Sequence, residues 1–422
     1  MPDVDVVVIG AGLAGLGAAT VLRQAGRQAV VLEAADRIGG RAWTTYPTAL
    51  GGVWFDMGAV WLHSAEINPL VPIAQAAGET LLRSDELRRE RTFVGTREAT
   101  AEEYADFAAA WARYEVKAGE VLRLVEDAPL ATVARAMPDD PWAVTVETWE
   151  GPIICCASAD ELSLRDWHSN VLSGSNLVPQ GGIGAFVARQ LGTGLDIRLR
   201  TPATRVAWSG PDVHVETAAG TITARSAIVT VSTGVLSAGA IRFDPSLPST
   251  TEAAIHAMPM GLAVKVALRA TSPDRLDLPL HCSLDRQVKR SGDPTMAFQC
   301  WPYKRDYVQG WIGGPAAWEL ARSGEAAAVD FALGQLRSVL GARVDRVFAG
   351  GSHLVTHWDA DPLVRGAYSF VRPGDAGARA ALGRPLAGGR LVFAGEACHS
   401  GMTGTVAGAW LSGQYAASAA RC

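Results

Sequence analysis

Three kinds of apolar pattern organise this chain. The first is the buried run. Val4–Ile9 reads as a strand, Leu13–Ala25 as a helix closed by Gly26, and Gln28–Leu32 as a second strand ending on Glu33 and Ala34. Near the other end, 390–394 reads as one more buried strand, and Gly404, Thr405 and Val406 open a helix running to about Ala420. The second pattern is alternation. In Met258–Arg269, Leu262, Val264, Val266 and Leu268 would line one face of a strand, with Ala263, Lys265, Ala267 and Arg269 on the other. The stretches 196–210 and 213–232 alternate in the same way after a Gly-rich turn and helix at 178–191, which predicts a β-meander. The third is helical periodicity over 69–127, where interleaved Glu and Arg read as a solvated helix face.

Composition narrows the class. At 422 residues, 48% hydrophobic and only 19% charged, the chain is a well-packed globular protein of two or three domains. The net charge of −5 offers no basic footprint for nucleic acid. No apolar run approaches a membrane span, and no secretory leader is visible, so a cytoplasmic location is expected. The six cysteines (Cys155, Cys156, Cys282, Cys300, Cys398 and Cys422) form no CxxC pair and no disulfide framework. His353 and His357 are four apart, but Leu354–Trp358 reads as a strand that would splay them, so no metal site is expected. Only four of the 38 basic residues are lysines. One of these, Lys265, stands in an apolar strand, either as a surface charge or as a charge placed beside chemistry.

The N-terminal elements frame Gly10-Ala11-Gly12-Leu13-Ala14-Gly15, with Glu33 eighteen residues after Gly15. Gly10 would make the tight turn, Gly12 would admit a pyrophosphate to the backbone, and Gly15 would let helix and strand pack closely. The helix N-terminus directs free N–H groups and the positive end of its dipole at the phosphates, while Glu33 would accept from ribose hydroxyls. Strand, glycines, helix, strand and acid in this order form a dinucleotide-binding βαβ unit. The following Asp36-Arg37-Ile38-Gly39-Gly40-Arg41 resembles the extended fingerprint of glutathione-reductase-like FAD enzymes, whose arginine lies against the FAD pyrophosphate. On this resemblance Arg37, Gly40 and Arg41 join the cofactor-binding residues.

Three further stretches are similar to the flavin amine oxidase superfamily. Phe55–Leu70, FDMGAVWLHSAEINPL, resembles its flavin-facing segment, and the form WLHS…NPL is closest to polyamine oxidases. THWDADPLVRGAYSFVRPG (356–374) and RLVFAGEACHSGMTGTVAGAWLSG (390–413) match the family's later motifs, in the family's order. The resemblance implies an α/β fold: a Rossmann-like, glutathione-reductase-type FAD domain with an interleaved α+β substrate domain on a mixed sheet. The FAD domain would comprise 1–66, 181–246 and 386–422, and the substrate domain 67–180 and 247–385. It implies FAD contacts at Gly58, Ala59, Val60 and Trp61, at Val206 on the adenine side, and at Gly395, Glu396, Gly404, Thr405 and Val406. Lys265 matches the family's lysine, which holds a water near flavin N5. His63 matches a histidine that could bond a substrate nitrogen or a water, and Trp358 and Tyr368 would be aromatic walls.

The implied reaction moves hydride from the carbon beside an amine nitrogen to flavin N5. The imine then hydrolyses, and dioxygen reoxidises the flavin to give hydrogen peroxide. A small-molecule amine and dioxygen are the expected partners, with a monomer or homodimer as the assembly. A specialised biosynthetic oxidase of an unusual amine or amide, or a protoporphyrinogen-oxidase-like or desaturase-like flavoprotein, is the alternative. Monoamine oxidases tether the flavin through a cysteine before the PG; this chain has Arg365-Gly366-Ala367-Tyr368-Ser369 there. Ala367 and Thr405 replace the tyrosine pair of those enzymes. FAD should therefore be held non-covalently, and acid precipitation should leave the yellow colour in the supernatant, as an absorbance spectrum of the two fractions will show.

Overall fold

The computed structural model describes residues 2–170 and 172–421, and its largest element is an eight-stranded sheet. In that sheet Asp196–Arg198, Ala29–Leu32, Val4–Ile9 and Gly220–Val229 run side by side and parallel. The long strand Gly220–Val229 divides its other edge. Residues 220–224 pair antiparallel with Val213–Thr217, and residues 227–229 pair parallel with Leu391–Phe393. Ala203–Ala207 and Arg242–Asp244 complete the meander. Val6, Val7 and Val8 are wholly buried, as a parallel strand covered on both faces requires.

Helix Leu13–Gln24 covers one face and packs along the C-terminal helix Val406–Ala419. Small residues make this contact possible. A Cβ on Gly413 would lie 1.9 Å from the Ala14 carbonyl oxygen, and one on Gly17 would lie 2.6 Å from the Trp410 carbonyl oxygen. The first and last helices of the chain are thereby locked together behind the glycine loop.

A second, seven-stranded sheet carries the lysine strand. Its order is His353–Val355, Ala263–Arg269, Tyr307–Gly313, Ala297–Cys300, Cys282–Arg286, Arg89–Val94 and Arg97–Glu98. Leu262, Val264, Val266 and Leu268 are buried in its core together with Phe298, Trp301 and Ile312. The opposite face of the lysine strand is covered too, for Ala267 is fully buried against Phe55 and Tyr307. No helix among the described residues is long and apolar enough to cross a membrane.

One expectation is refined and one corrected here. The 69–127 segment is mostly helical, as expected, at Leu70–Ala76, Ser84–Leu87 and Ala101–Leu124, but Leu81–Arg83, Arg89–Val94 and Arg97–Glu98 within it are strands. The tertiary partner decides this, because Arg89–Val94 adds parallel to Cys282–Arg286 and buries Thr92 and Phe93. The strand expected over Leu354–Trp358 is His353–Val355, so His353 and His357 are not splayed. Their Nε2 atoms both approach Glu325, at 3.2 and 4.0 Å. Cys155, Cys156, Cys282, Cys300 and Cys398 are free thiols, and Cys422 lies outside the described residues.

Gly413→Val should overpack the helix pair and destabilise the fold by about 3 kcal/mol or more. A fall in thermal midpoint accompanied by loss of flavin colour would express it; an unchanged midpoint would contradict the close approach.

Candidate active site

The glycine loop has the geometry its sequence predicts. Gly10 has φ 104°, and a Cβ on Gly15 would sit 1.9 Å from the Gly10 carbonyl oxygen, so both positions require glycine. A Cβ on Gly12 would meet nothing within 4 Å, and helix Leu13–Gln24 starts there with no side-chain cap. Uncapped N–H groups facing open space are what a pyrophosphate needs. The second glycine pair docks on the first loop: the Gly39 N–H donates to the Ala11 carbonyl at 2.8 Å, and Gly40 sits over the Gly12 Cα. Glu33 is buried, its carboxylate accepting from the N–H groups of Ala11 (2.6 Å) and Ala35 (2.8 Å), with Ala34 half-buried beside it. This set of donors and one acid, all in place around open backbone, fits FAD.

Arg37 stacks on Trp43 (4.4 Å to the ring centroid) and donates to the Gly40 carbonyl; burial lowers its pKa. Arg41 donates to the Ala367 carbonyl (2.7 Å) and to Glu396 (3.0 Å). Burial alone would raise the Glu396 pKa, but Arg41, Arg379 and the Ser369 N–H outweigh it and hold the carboxyl below its ordinary value. Gly395 donates to the Ser412 hydroxyl at 3.1 Å. Val206 departs from expectation. It is wholly buried in the core under the meander, and the part of that segment beside the acid loop comes earlier. There Arg200 N–H donates to Ala35 and Thr201 N–H to Glu33. The alternation of the meander points the Val206 side chain into the core, while residues 200–201 pair with the acid loop.

Lys265 faces inward. Its Nζ donates to the carbonyls of Asp56 (2.9 Å) and Gly58 (2.5 Å), which ties the lysine strand to the segment 55–63. Burial pushes its pKa down to about 8, with Asp56 and Cys156 opposing that shift. Asp56 is raised to about 6 by burial, against the Thr44 hydroxyl, Lys265 and backbone N–H groups. Thr356 clamps the lysine backbone on the outer edge, its hydroxyl accepting from Lys265 N–H at 2.9 Å.

Gly58 is obligatory, because a Cβ there would lie 1.9 Å from the Arg41 carbonyl oxygen. Trp358 does not form a free wall. It is buried, donates to the Met57 carbonyl at 3.0 Å and props the Gly58 backbone from behind. Tyr368 is half-buried against Gly404, and burial pushes its phenol well above the ordinary range. Thr405 caps the C-terminal helix: its hydroxyl accepts from Gly408 N–H (2.9 Å) and donates to the Met402 carbonyl (2.8 Å). The cap leaves the Val406 and Ala407 N–H groups without a partner among the described residues.

His63 has a defined tautomer. The Asn176 amide donates to Asp85, so its oxygen faces His63 Nδ1 (2.7 Å), which must carry the proton. Burial lowers the His63 pKa, so the ring is neutral and Nε2 is an acceptor.

Several residues that sequence reasoning did not select complete the enclosure. Trp311 is the register partner of Lys265 on the neighbouring strand, and contacts Trp61 (6.3 Å) and Trp149 (6.4 Å). Strand pairing, had it been known, would have found it. Trp149 and Glu150 begin a π-helical turn, Trp149–Cys155, whose end docks on the lysine strand through Cys156 O and Leu262 N–H. Burial pushes the Glu150 carboxyl up to about 7, and Trp167 donates to it at 2.8 Å. Trp61, His63, Trp149, Glu150, Lys265 and Trp311 are all half-buried, and the Trp61–Trp311 and Trp311–Trp149 contacts run from the segment 55–63 to the π-helical turn.

The sequence profile described as flavin containing amine oxidoreductase matches residues 13–139 and 117–421. The chain belongs to this family. Polyamine oxidase 4 of Oryza sativa subsp. japonica is 30% identical over 99% of this chain and 88% of its own length. Lysine-specific histone demethylase 2 of Homo sapiens is 27% identical over 98% of this chain, but over only 53% of its own length. Among solved structures, putrescine oxidase bound to putrescine superposes with a TM-score of 0.80 at 19% identity, covering 98% of both chains. Cyclohexylamine oxidase from Brevibacterium oxydans IH-35A superposes at 0.79 with 22% identity, covering 99% of this chain and 98% of its own. As a flavin-containing amine oxidoreductase, the protein is an FAD-dependent enzyme that oxidises a C–N bond.

The unfolded chain keeps the Lys265 proton to about 10.5 while the folded enzyme releases it near 8, so the unfolded state binds more protons between those values. Relative to Lys265→Met, wild-type stability should therefore rise with pH across that window, by on the order of 3 kcal/mol, and be flat below it. Urea unfolding of both proteins from pH 7 to 10 measures it; parallel pH profiles would refute the buried, destabilised ammonium.

Proposed function

We propose that the substrate is a diamine or polyamine, held with one nitrogen neutral beside the flavin and a second, charged nitrogen at Glu150. FAD, when bound, supplies the hydride acceptor and passes its electrons to dioxygen, releasing hydrogen peroxide. The residues prepare the amine. Trp61, Trp149 and Trp311 exclude water and disfavour an ammonium at the reacting end, and the nearby Lys265 charge disfavours it further. His63 Nε2, an acceptor, receives a substrate N–H and so orients the nitrogen. Lys265, anchored on two carbonyls with a third hydrogen free, holds a water and supplies positive charge for the oxygen step.

The observation that carries the choice of substrate is Glu150. Its carboxylate, next in the chain to Trp149, accepts from the Trp167 indole and pairs with no cation among the described residues; burial raises it to about 7, and an arriving ammonium would restore its charge. The similarity to polyamine oxidases supports the same reading. Segments 1–66, 181–246 and 386–422 form the FAD domain in this reading, and 67–180 and 247–385 the substrate domain. All strands of the eight-stranded sheet fall in the first set and all strands of the seven-stranded sheet in the second, which supports the division.

In an amine panel followed by peroxide release and anaerobic flavin bleaching, putrescine or spermidine should be oxidised with at least about tenfold higher kcat/KM than benzylamine. Glu150→Gln should raise KM for the diamine by about tenfold or more while kcat stays near wild type. A benzylamine preference, or an unchanged KM in the variant, would overturn the substrate assignment. Lys265→Met should retain FAD but slow flavin reoxidation by oxygen at least about tenfold in stopped flow; equal rates would remove the lysine from the oxygen step.

A further inference from the structure

A second cavity, of about 610 Å³, opens among Trp54, Tyr303, Leu82 and Arg269, on the loop 46–54 and the turn 302–306. Its charge is unusual. Arg305 is 9% exposed, and no carboxylate pairs with it among the described residues. Its guanidinium instead stacks on Trp54, 3.6 Å from the ring centroid, and lies 5.1 Å from that of Tyr303. Nη1 donates to the Trp54 carbonyl (3.0 Å) and the Tyr307 hydroxyl (2.9 Å), while Nε and Nη2 donate to no protein group among the described residues. Arg269, whose guanidinium lies against Gly51, and Lys304 also line the cavity without an ion-pair partner among the described residues. Asp306 is the one acid on the rim, and its carboxylate is taken up by Arg275.

Burying an uncompensated guanidinium is costly, and a protein retains one where a counter-charge arrives from outside. The local field is felt by a neighbour: after burial, the charges of Arg89, Arg305 and Lys304 keep His281 below its ordinary pKa. The turn is also held in a costly backbone state. Trp301, Tyr303 and Lys304 all have left-handed φ, at 53°, 54° and 61°, and this sets Tyr303 and Lys304 on the cavity wall.

We propose that this cavity binds a small organic anion, its carboxylate or phosphate seated on Arg305 with Lys304 and Arg269, and its apolar body against Trp54 and Leu50. The planar guanidinium, pre-stacked and with two nitrogens free, suits a forked oxyanion. The site is distinct from the amine enclosure but touches it. Tyr303 interacts with the Ser84 hydroxyl, which in turn accepts from the Trp61 indole at 3.1 Å.

Calorimetric titration of the FAD-loaded enzyme with phenyl phosphate and with benzoate tests the site without relying on turnover, so it can succeed or fail independently of the amine assignment. At least one anion should bind with Kd of about 1 mM or tighter, weaken with added salt, and leave the flavin spectrum unshifted. The tighter of the two identifies a phosphate-bearing or a carboxylate-bearing ligand. Lys304→Glu, on an exposed turn, should weaken binding about tenfold, and Arg305→Met should abolish it. Should Arg305→Met fail to fold, Arg269→Gln replaces it, with weakened binding expected. No binding up to about 10 mM, affinity unchanged in the variants, or binding that shifts the flavin spectrum and is displaced by amine would each overturn the proposal.

Discussion

Four charged side chains, three of them buried and Arg41 partly so, tie this protein together. Arg379 makes a two-pronged pair with Asp166, at 2.8 and 2.9 Å, and donates to the Ser369 hydroxyl at 3.0 Å. That hydroxyl donates to Glu396 at 2.9 Å, and Glu396 accepts from Arg41 at 3.0 Å. Two cations and two anions cancel, and Ser369 relays between the pairs. Such a network costs much to bury and gives little net stability, but losing one member would strand the others. Its value is positional. It joins the loop after the first βα unit, the helix at 164–168, the stretch 367–379 and the FAGE turn, four segments far apart in sequence.

The position of the reactive space follows from this anchoring. Arg41 also reaches the Ala367 carbonyl, one residue before Tyr368, and its own carbonyl accepts from the Ala59 N–H. The segment 55–63 is thereby hung from the same arginine, and Lys265 grips it from the other side through the Asp56 and Gly58 carbonyls. Fold and chemistry share these contacts. Burial lowers the lysine's pKa although its two carbonyl acceptors favour the ammonium, and that same confinement suits a reaction in which the amine must be neutral.

The motifs were legible because their chemistry is local. Gly10 and Gly15 fail with any side chain for reasons confined to one turn, and Gly58 for a contact with Arg41. Glu33 ends a strand that any reading of the apolar pattern would find. Alternation placed Lys265 on a face correctly, and family resemblance assigned that face inward. Misreadings arose where a neighbour overrides the local pattern. Arg89–Val94 carries charges that look helical until Cys282–Arg286 offers it an edge. Val206 lies in a strand whose inward phase buries its side chain in the core, and Arg200 and Thr201, not Val206, pair with the acid loop. His353 and His357 meet at Glu325 because their strand ends after Val355.

By itself the sequence determined the dinucleotide loop, the order of strands and helices at both ends, and membership of a family of amine-oxidising flavoproteins. Each of these is written in contiguous residues whose spacing is set by backbone geometry. Tertiary structure alone decided which neighbours the proposed site residues have. Trp311 meets Lys265 through strand register, Glu150 enters on a π-helical turn, and His63 acquires its tautomer from an asparagine 113 residues away. Register, helix phase and hydrogen-bond relay depend on partners distant along the chain, so no local stretch of sequence carries them.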